Sequence, residues 1–383
     1  MMFSFGLKNW GIADLPRDVA EHPRTAILDC GHNYLSVLPR LPSLVRLDCH
    51  RNRIEELPLF PKLTILNCRR NWLTTLPPFP KLTDLDCRRN KIEELPLFPE
   101  LTSLRCDSNR LEALPLFPKL TTLDCHQNWL TELPWFPKLT KLICHKNHLE
   151  ELFLFSELTE LHCEDNRLTT LPPFPKLTTL HCGRNQITEL PPYPKLTELH
   201  CDDNELTELP PYPKLTELHC DNNELTELPP FPELTVLHCG YNQITELPPY
   251  PKLTGLFCEG NGLTALPLLP ELTELHCSYN QITELPPYPK LTKLFCSCNL
   301  LTEIPEFPAL RILFCANNPI EWLPYYPKLV SIDFTGCPVA ELMDNPRSVD
   351  EYHRLWSRSV ERRKKSARSA ATMRTELLVA TAH

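Results

Sequence analysis

The sequence predicts a solenoid, a stack of short parallel β-strands joined by extended, proline-rich outer segments with little helix. Three observations predict it. Cysteines stand at 30, 49, 68, 87, 106, 125, 144, 163, 182, 201, 220, 239, 258, 277, 296 and 315, an unbroken spacing of 19 that accounts for 16 of the 18. An asparagine follows each by three, from Asn33 to Asn318, and a leucine precedes each by two, from Leu28 to Leu313. A fixed period of this kind marks stacked repeat units. The composition, with 42 prolines, 18 cysteines and 9 glycines in 383 residues, is likewise unlike that of ordinary globular domains.

One unit reads Leu196-Thr-Glu-Leu-His-Cys-Asp-Asp-Asn204-Glu-Leu-Thr-Glu-Leu-Pro-Pro-Tyr-Pro-Lys214. Its x-L-x-C segment is the strand. Side chains alternate there, so Leu199 and Cys201 point into the core while Glu198, His200 and Asp202 point out. Asn204, at the strand exit, is expected to hydrogen-bond the backbone of the next unit, where amides would otherwise be unpaired. The second half is too rich in proline for a helix and predicts extended or polyproline II chain. No unit buries enough to stand alone, so stacking must supply the difference.

The unit matches L-x-x-L-x-L-x-x-N/C-x-L and so resembles the leucine-rich repeat, with Cys in the third apolar slot. The resemblance implies a leucine-rich-repeat solenoid with its parallel β-sheet on the concave face. At 19 residues, with L-P-x-x-P-like second halves, the repeats are similar to those of type III effectors of enteric bacteria. The Cys-containing variant is also similar to repeat proteins of marseillevirus-type giant viruses. Some such effectors continue into a ubiquitin-ligase domain with a catalytic cysteine. Here fewer than fifty residues follow the repeats, with Cys337 the only cysteine near them, so ligase activity in cis is not expected.

The period defines the expected boundaries. Residues 1–26 break it and form an N-terminal cap, and residues 27–340 form the solenoid, about 16 repeats plus a degenerate last one. Residues 341–383 form a C-terminal cap helix and basic tail. Phe334 and Cys337 fall where Cys and Asn are due. Ser348 is placed to cap a short C-terminal helix with Asp350 and Glu351 in its first turn. Its apolar stripe, Val349, Tyr352, Leu355, Trp356 and Val360, is expected to cover the last repeat. Arg362, Arg363, Lys364, Lys365 and Arg368 follow as a basic run.

Net charge is -9, but residues 346–383 carry nine Lys/Arg against four Asp/Glu, so the tail is +5 and the rest -14. Nucleic acid is therefore not an expected partner, except through the tail. No segment has the apolar length of a membrane span and no secretory signal is evident, so a cytoplasmic protein is expected, in a host cell if viral or effector. Once-per-unit cysteines in an apolar slot read as reduced core residues rather than a disulfide framework. Cys298, off the ladder, is the candidate reactive thiol, against its reading as a solvent-facing polar substitute.

The column before each cysteine should run down the middle of the concave face. It includes His162, His181, His200, His219, His238, His276, Phe257, Phe295 and Phe314. Flanking columns add Arg69, Arg70, Arg88 and Arg89 near the start, acids such as Glu160, Glu164, Glu198, Asp202 and Asp221 in the middle, and Tyr241 and Tyr279 toward the end. The face is zoned as basic, then acidic with histidine, then aromatic, as a surface facing one extended partner would be. The competing reading is free drift of polar columns among copied repeats.

Histidines among carboxylates could hold a transition metal, for example His200 and His219 with Asp202 or Asp221. A flat ladder rarely converges ligands, so solvated histidines are expected and no metal or cofactor is assigned. Phosphate-binding, nucleophile-elbow, zincin and dinucleotide motifs are absent, and no nucleophile is paired with a base, so no enzyme activity and no catalytic residue are expected. The expected function is a protein-interaction scaffold binding a protein partner on the concave face. The alternatives are an adaptor recruiting partners to ubiquitin-ligase or other machinery through the tail, and a structural virion or assembly component.

Overall fold

The structure, a computed structural model, describes residues 3–343 and 348–356. It comprises two compact units, one through Lys214 and one from Leu215 onward, and each is a parallel sheet wound one strand per turn. In the first, β1 (Phe3–Gly6), α1 (Arg17–Ala20) and β2 (Thr25–Asp29) are followed by three-residue strands. These recur every 19 residues from β3 (Arg46–Asp48) through β9 (Glu160–His162) and β10 (Thr179–His181) to β11 (Glu198–His200). The second unit runs from β12 (Glu217–His219) to β18 (Ser331–Asp333), then α2 (Pro338–Leu342) and a helix α3 over 349–356. Within each unit every strand pairs with the next at the repeat offset, so Leu180 stands opposite Leu161 and Leu199, and Leu256 opposite Leu237 and Leu275.

The turn over residues 101–119 shows why the sequence folds this way. Leu101, Leu104, Cys106, Leu111 and Phe117 are fully buried and Leu114 is 6% exposed, so six apolar side chains fill the interior of one turn. Each lies against its counterpart one turn away. Phe98, Phe117 and Phe136 form a ring stack with centroids 6.2 and 6.4 Å apart. Where tyrosine takes this slot, its hydroxyl donates to a proline carbonyl of the preceding turn, as Tyr193 does to Pro172 and Tyr250 to Pro229, both at 3.2 Å. That bond is why a phenol can replace a phenyl at full burial. The proline-lysine step closes a β-turn, with the Leu120 N–H donating to the Phe117 carbonyl at 3.1 Å, and proline at the second position suits that turn. After β2 and up to β18, the outer segments of the repeats carry no helix among the described residues.

The asparagine column is structural, but it reaches in the other direction from the one expected. Asn128 Nδ2 donates to the Cys106 carbonyl of the preceding turn (3.1 Å) and to the Cys125 carbonyl of its own (3.0 Å), while its Oδ1 accepts from the Leu111 N–H (3.0 Å). The amide thus joins its own turn to the one before it. Threonine adds a parallel ladder, Thr102 Oγ1 donating to Thr83 O and Thr121 Oγ1 to Thr102 O, each at 3.0 Å.

The residue two beyond each ladder cysteine is left-handed, with φ 57° at Arg70, 53° at Asp203, 52° at Tyr241 and 55° at Cys298. Such a conformation costs a non-glycine residue about 1–2 kcal/mol. It persists because its N–H is claimed by the following turn, as in Arg70 to Arg88 O (2.8 Å) and Cys298 to Ala316 O (2.9 Å). At Gly260 (φ 64°) the requirement is sharper, since a Cβ would lie 2.7 Å from the Tyr241 ring.

Both ends reuse the repeat's own bonding. Asn33 donates to the Leu7 carbonyl at 2.8 Å and accepts from the Ile12 N–H, which ties the N-terminal segment to the first turn, while β1 pairs in parallel with β2. At the other end Cys337 takes the asparagine's place and its thiol donates to the Cys315 carbonyl at 3.2 Å. Ser348 Oγ caps α3 by accepting from the Glu351 N–H (3.2 Å). Tyr352 is fully buried with its hydroxyl donating to Pro324 O (2.5 Å), and Trp356 Nε1 donates to Leu323 O (3.0 Å). Val360 and the basic run from Arg362 to Arg368 lie outside the described residues.

Candidate functional site

The column before each cysteine faces outward on the strand side, and its rings stack because consecutive strands hold them one strand spacing apart. In the first unit the His162 and His181 ring centroids are 4.3 Å apart at 62°, and those of His181 and His200 are 4.1 Å apart at 11°. In the second, His219, His238, Phe257, His276, Phe295 and Phe314 follow one another at 4.1, 3.9, 4.5, 4.2 and 5.1 Å. Phe257, Phe295 and Phe314 are therefore half-buried rather than openly exposed, since each ring covers its neighbours. Tyr241 and Tyr279 beside them are 60% and 62% exposed.

The basic zone is smaller than the sequence suggested. Arg88 makes a two-pronged ion pair with Asp86 (Nε–Oδ1 2.8 Å, Nη2–Oδ2 2.6 Å) and stands 3.6 Å from Asp107, so its charge is taken up within the protein. Arg69 and Arg70 are half-buried, Arg89 is exposed, and the buried Arg69 Nε has no hydrogen-bond partner. Desolvation and the like charges of Arg51, Arg89 and Arg69 together lower the pKa of Arg70.

The histidines divide by their neighbours. Burial opposes charge on His181, but the neighbouring carboxylates of Glu164 and Glu198 outweigh it and raise its pKa, and those of Glu259 and Glu274 do the same for His276. Burial and the nearby His219 instead push His238 down to about 4. An unfolded histidine takes its proton near 6.5. Between about 6.5 and 4 the unfolded chain therefore binds a proton that folded His238 refuses, and acidification through that window destabilises the fold at this site. His276 acts in the opposite sense, its stabilisation being present below about 6.5 and lost as pH rises through its higher folded pKa. Proton NMR titration should show His238 neutral at pH 5 while His181 and His276 are charged; a His238 midpoint near 6.5 would contradict the packing.

The ladder converges ligands more closely than expected. Ligand atoms of His162, Glu164 and His181 lie within 4.8 Å of one another, as do those of His181, Glu198 and His200, of His219, Asp221 and His238, and of Asp107, Asp124 and His126. Asp202, by contrast, packs its carboxylate against Gly183, where a Cβ would lie 2.9 Å from Oδ2.

Sequence reasoning missed an outer apolar column in the first unit: Leu59, Leu97, Leu116, Trp135 and Leu154, between 47% and 57% exposed. The signal was available, since each precedes the buried aromatic of its turn and so faces the other way in extended chain. Among the described residues no helix is long and apolar enough to cross a membrane.

A repeated parallel strand with a fixed Leu, Cys and Asn core and a variable outward column defines a repeat scaffold. Comparison with known proteins places it further. A family profile described as Leucine Rich repeats (2 copies) matches residues 156–195, 194–233 and 270–309. YopM from Yersinia enterocolitica WA-314 is similar at 31% identity over 88% of this chain and 87% of that one, with a TM-score of 0.75. The functional domain of InlJ from Listeria monocytogenes, which includes a cysteine ladder, is similar at 30% identity over 72% and 69%, with a TM-score of 0.56. The leucine-rich-repeat protein LIC12759 of Leptospira interrogans is similar at 26% identity over 86% and 95%, with a TM-score of 0.68. No curated protein sequence matches. The chain belongs to the leucine-rich-repeat family, a fold typical of protein-interaction domains.

Proposed function

We propose that this protein is a non-enzymatic scaffold that captures a protein partner on its strand face, with the ring column of the second unit as the docking site. The observation that carries this reading is the unbroken stack from His238 to Phe314 flanked by exposed Tyr241 and Tyr279. It offers several adjoining aromatic surfaces on a rigid sheet, the setting in which interface hot spots concentrate. His162, His181, His200 and His219, with Arg69, Arg70 and Arg89, contribute polar contacts elsewhere on the strand faces, and charge there sets register rather than affinity. Residence in the cytoplasm suits eighteen reduced cysteines, and YopM from Yersinia pestis, 33% identical, is a leucine-rich effector protein.

The test is affinity purification with mass spectrometry, comparing the full chain with the triple variant Phe257→Ser, Phe295→Ser, Phe314→Ser. Loss of two or more kcal/mol of contact energy corresponds to roughly thirtyfold weaker binding. Specific partners should disappear while far-ultraviolet circular dichroism stays unchanged. Partners retained in full would remove the ring column from the interface.

A further inference from the structure

We infer that His162, Glu164 and His181 form a binding site for a divalent transition ion of the zinc class, built across β9 and β10. Ligand atoms from all three lie within 4.8 Å of one another, and Glu164 Oε1 is 3.6 Å from His181 Nδ1. A tetrahedral ion with bonds near 2.1 Å separates its ligand atoms by roughly 3.4 Å, so modest side-chain rotation completes the geometry. The ring planes of His162 and His181 meet at 62°, which lets in-plane lone pairs converge as those of parallel rings cannot. Two imidazoles and one carboxylate select zinc, nickel or copper over magnesium or calcium.

Two further observations point to a ligand. Each histidine has a carboxylate on its far nitrogen: Glu160 Oε1 lies 2.9 Å from His162 Nε2, and Glu198 Oε1 lies 2.9 Å from His181 Nε2. With Nε2–H donating to these acids, the lone pair of each ring resides on Nδ1, the nitrogen left for an ion. Carboxylates that orient metal-binding imidazoles in this way are the usual outer shell of such sites. Lys141 Nζ holds Glu160 in turn at 2.6 Å. Second, Glu164 Oε2 is buried without a hydrogen-bond partner, which leaves that oxygen open to an ion.

The other trios within a unit lack the crossed pair of rings. His181 and His200 stack at 11°, and Glu198 is already engaged by His181 Nε2 at 2.9 Å. His219 and His238 stack at 10°, and Asp221 Oδ1 already accepts from the Gly240 N–H at 2.6 Å. His126 is the lone imidazole between Asp107 and Asp124 and makes an internal ion pair.

The experiment is calorimetric titration of the full chain with zinc chloride, paired with cobalt(II) absorption. A saturable heat is expected, with visible cobalt bands and no near-ultraviolet thiolate band. Glu164→Gln and His181→Gln should each abolish that heat with circular dichroism unchanged, Asp221→Asn should leave it intact, and Glu198→Gln should weaken affinity by roughly 10- to 100-fold. Absence of saturable heat overturns the assignment. So does a thiolate band, which would place the ion on cysteine, or full retention of the heat in Glu164→Gln and His181→Gln.

Discussion

Treated with a bulky maleimide in its native state, the protein is expected to label at once on Cys298 alone, next on Cys337, and on the sixteen ladder cysteines only as the chain unfolds. Cys298 is half-buried on the left-handed loop column, whereas every ladder thiol has zero exposure. The thiolate is the nucleophile, and burial suppresses it. Desolvation, then Asp29 and Asp48, push Cys30 up to about 12, and burial raises Cys87, Cys182 and Cys277 further. Reaction must await opening of the stack, and unfolded fractions of about 10⁻³ to 10⁻⁶ slow labelling by the inverse factor. Cys337 differs because a hydrogen bond from Cys315 pulls it down to about 7 despite 3% exposure, and it sits at the start of the short α2. Intact-mass spectra over time count the labels. Sixteen ladder thiols reacting as fast as Cys298 would mean that the Leu and Cys columns are not the interior.

How much of this was legible in the sequence depends on what a period encodes. Alternation about Leu199 and Cys201 assigns inside and outside, because one backbone geometry repeats at every turn. It does not encode rotamers. That His162 and His181 meet at 62° while His181 and His200 lie nearly parallel follows from which carboxylate each ring finds. The convergence on Glu164 was hidden for the same reason. The left-handed column was hidden because composition gave no warning: Arg70, Tyr241 and Cys298 occupy it, held there by hydrogen bonds to the following turn rather than by glycine. Arg88 reads as a free positive charge until Asp86 is seen two residues away on the same face.

The largest loss of stability from one outward-neutral change is expected at the asparagine column, and Asn128 in the first unit tests it. Asn128→Ala leaves the buried Leu111 N–H without its acceptor and removes one of two donors from each of the Cys106 and Cys125 carbonyls, which keep Asn109 and Asn147 respectively. An orphaned buried N–H costs about 1–3 kcal/mol and each lost hydrogen bond about 1, so the sum is about 3–5 kcal/mol. Urea unfolding at neutral pH measures it, and a loss under about 1 kcal/mol would show that the column is not structural. Asn128→Asp sharpens the test. It keeps an acceptor for Leu111 but sets a carboxylate against two carbonyl oxygens, which raises its folded pKa above the unfolded value near 3.9. The variant is then least stable at neutral pH and regains stability, relative to Asn128→Ala, as pH falls through that raised pKa. Since each turn contacts only its neighbours, the damage should also appear as a separate early transition rather than a uniform shift, because the stack yields where one interface between turns has been weakened.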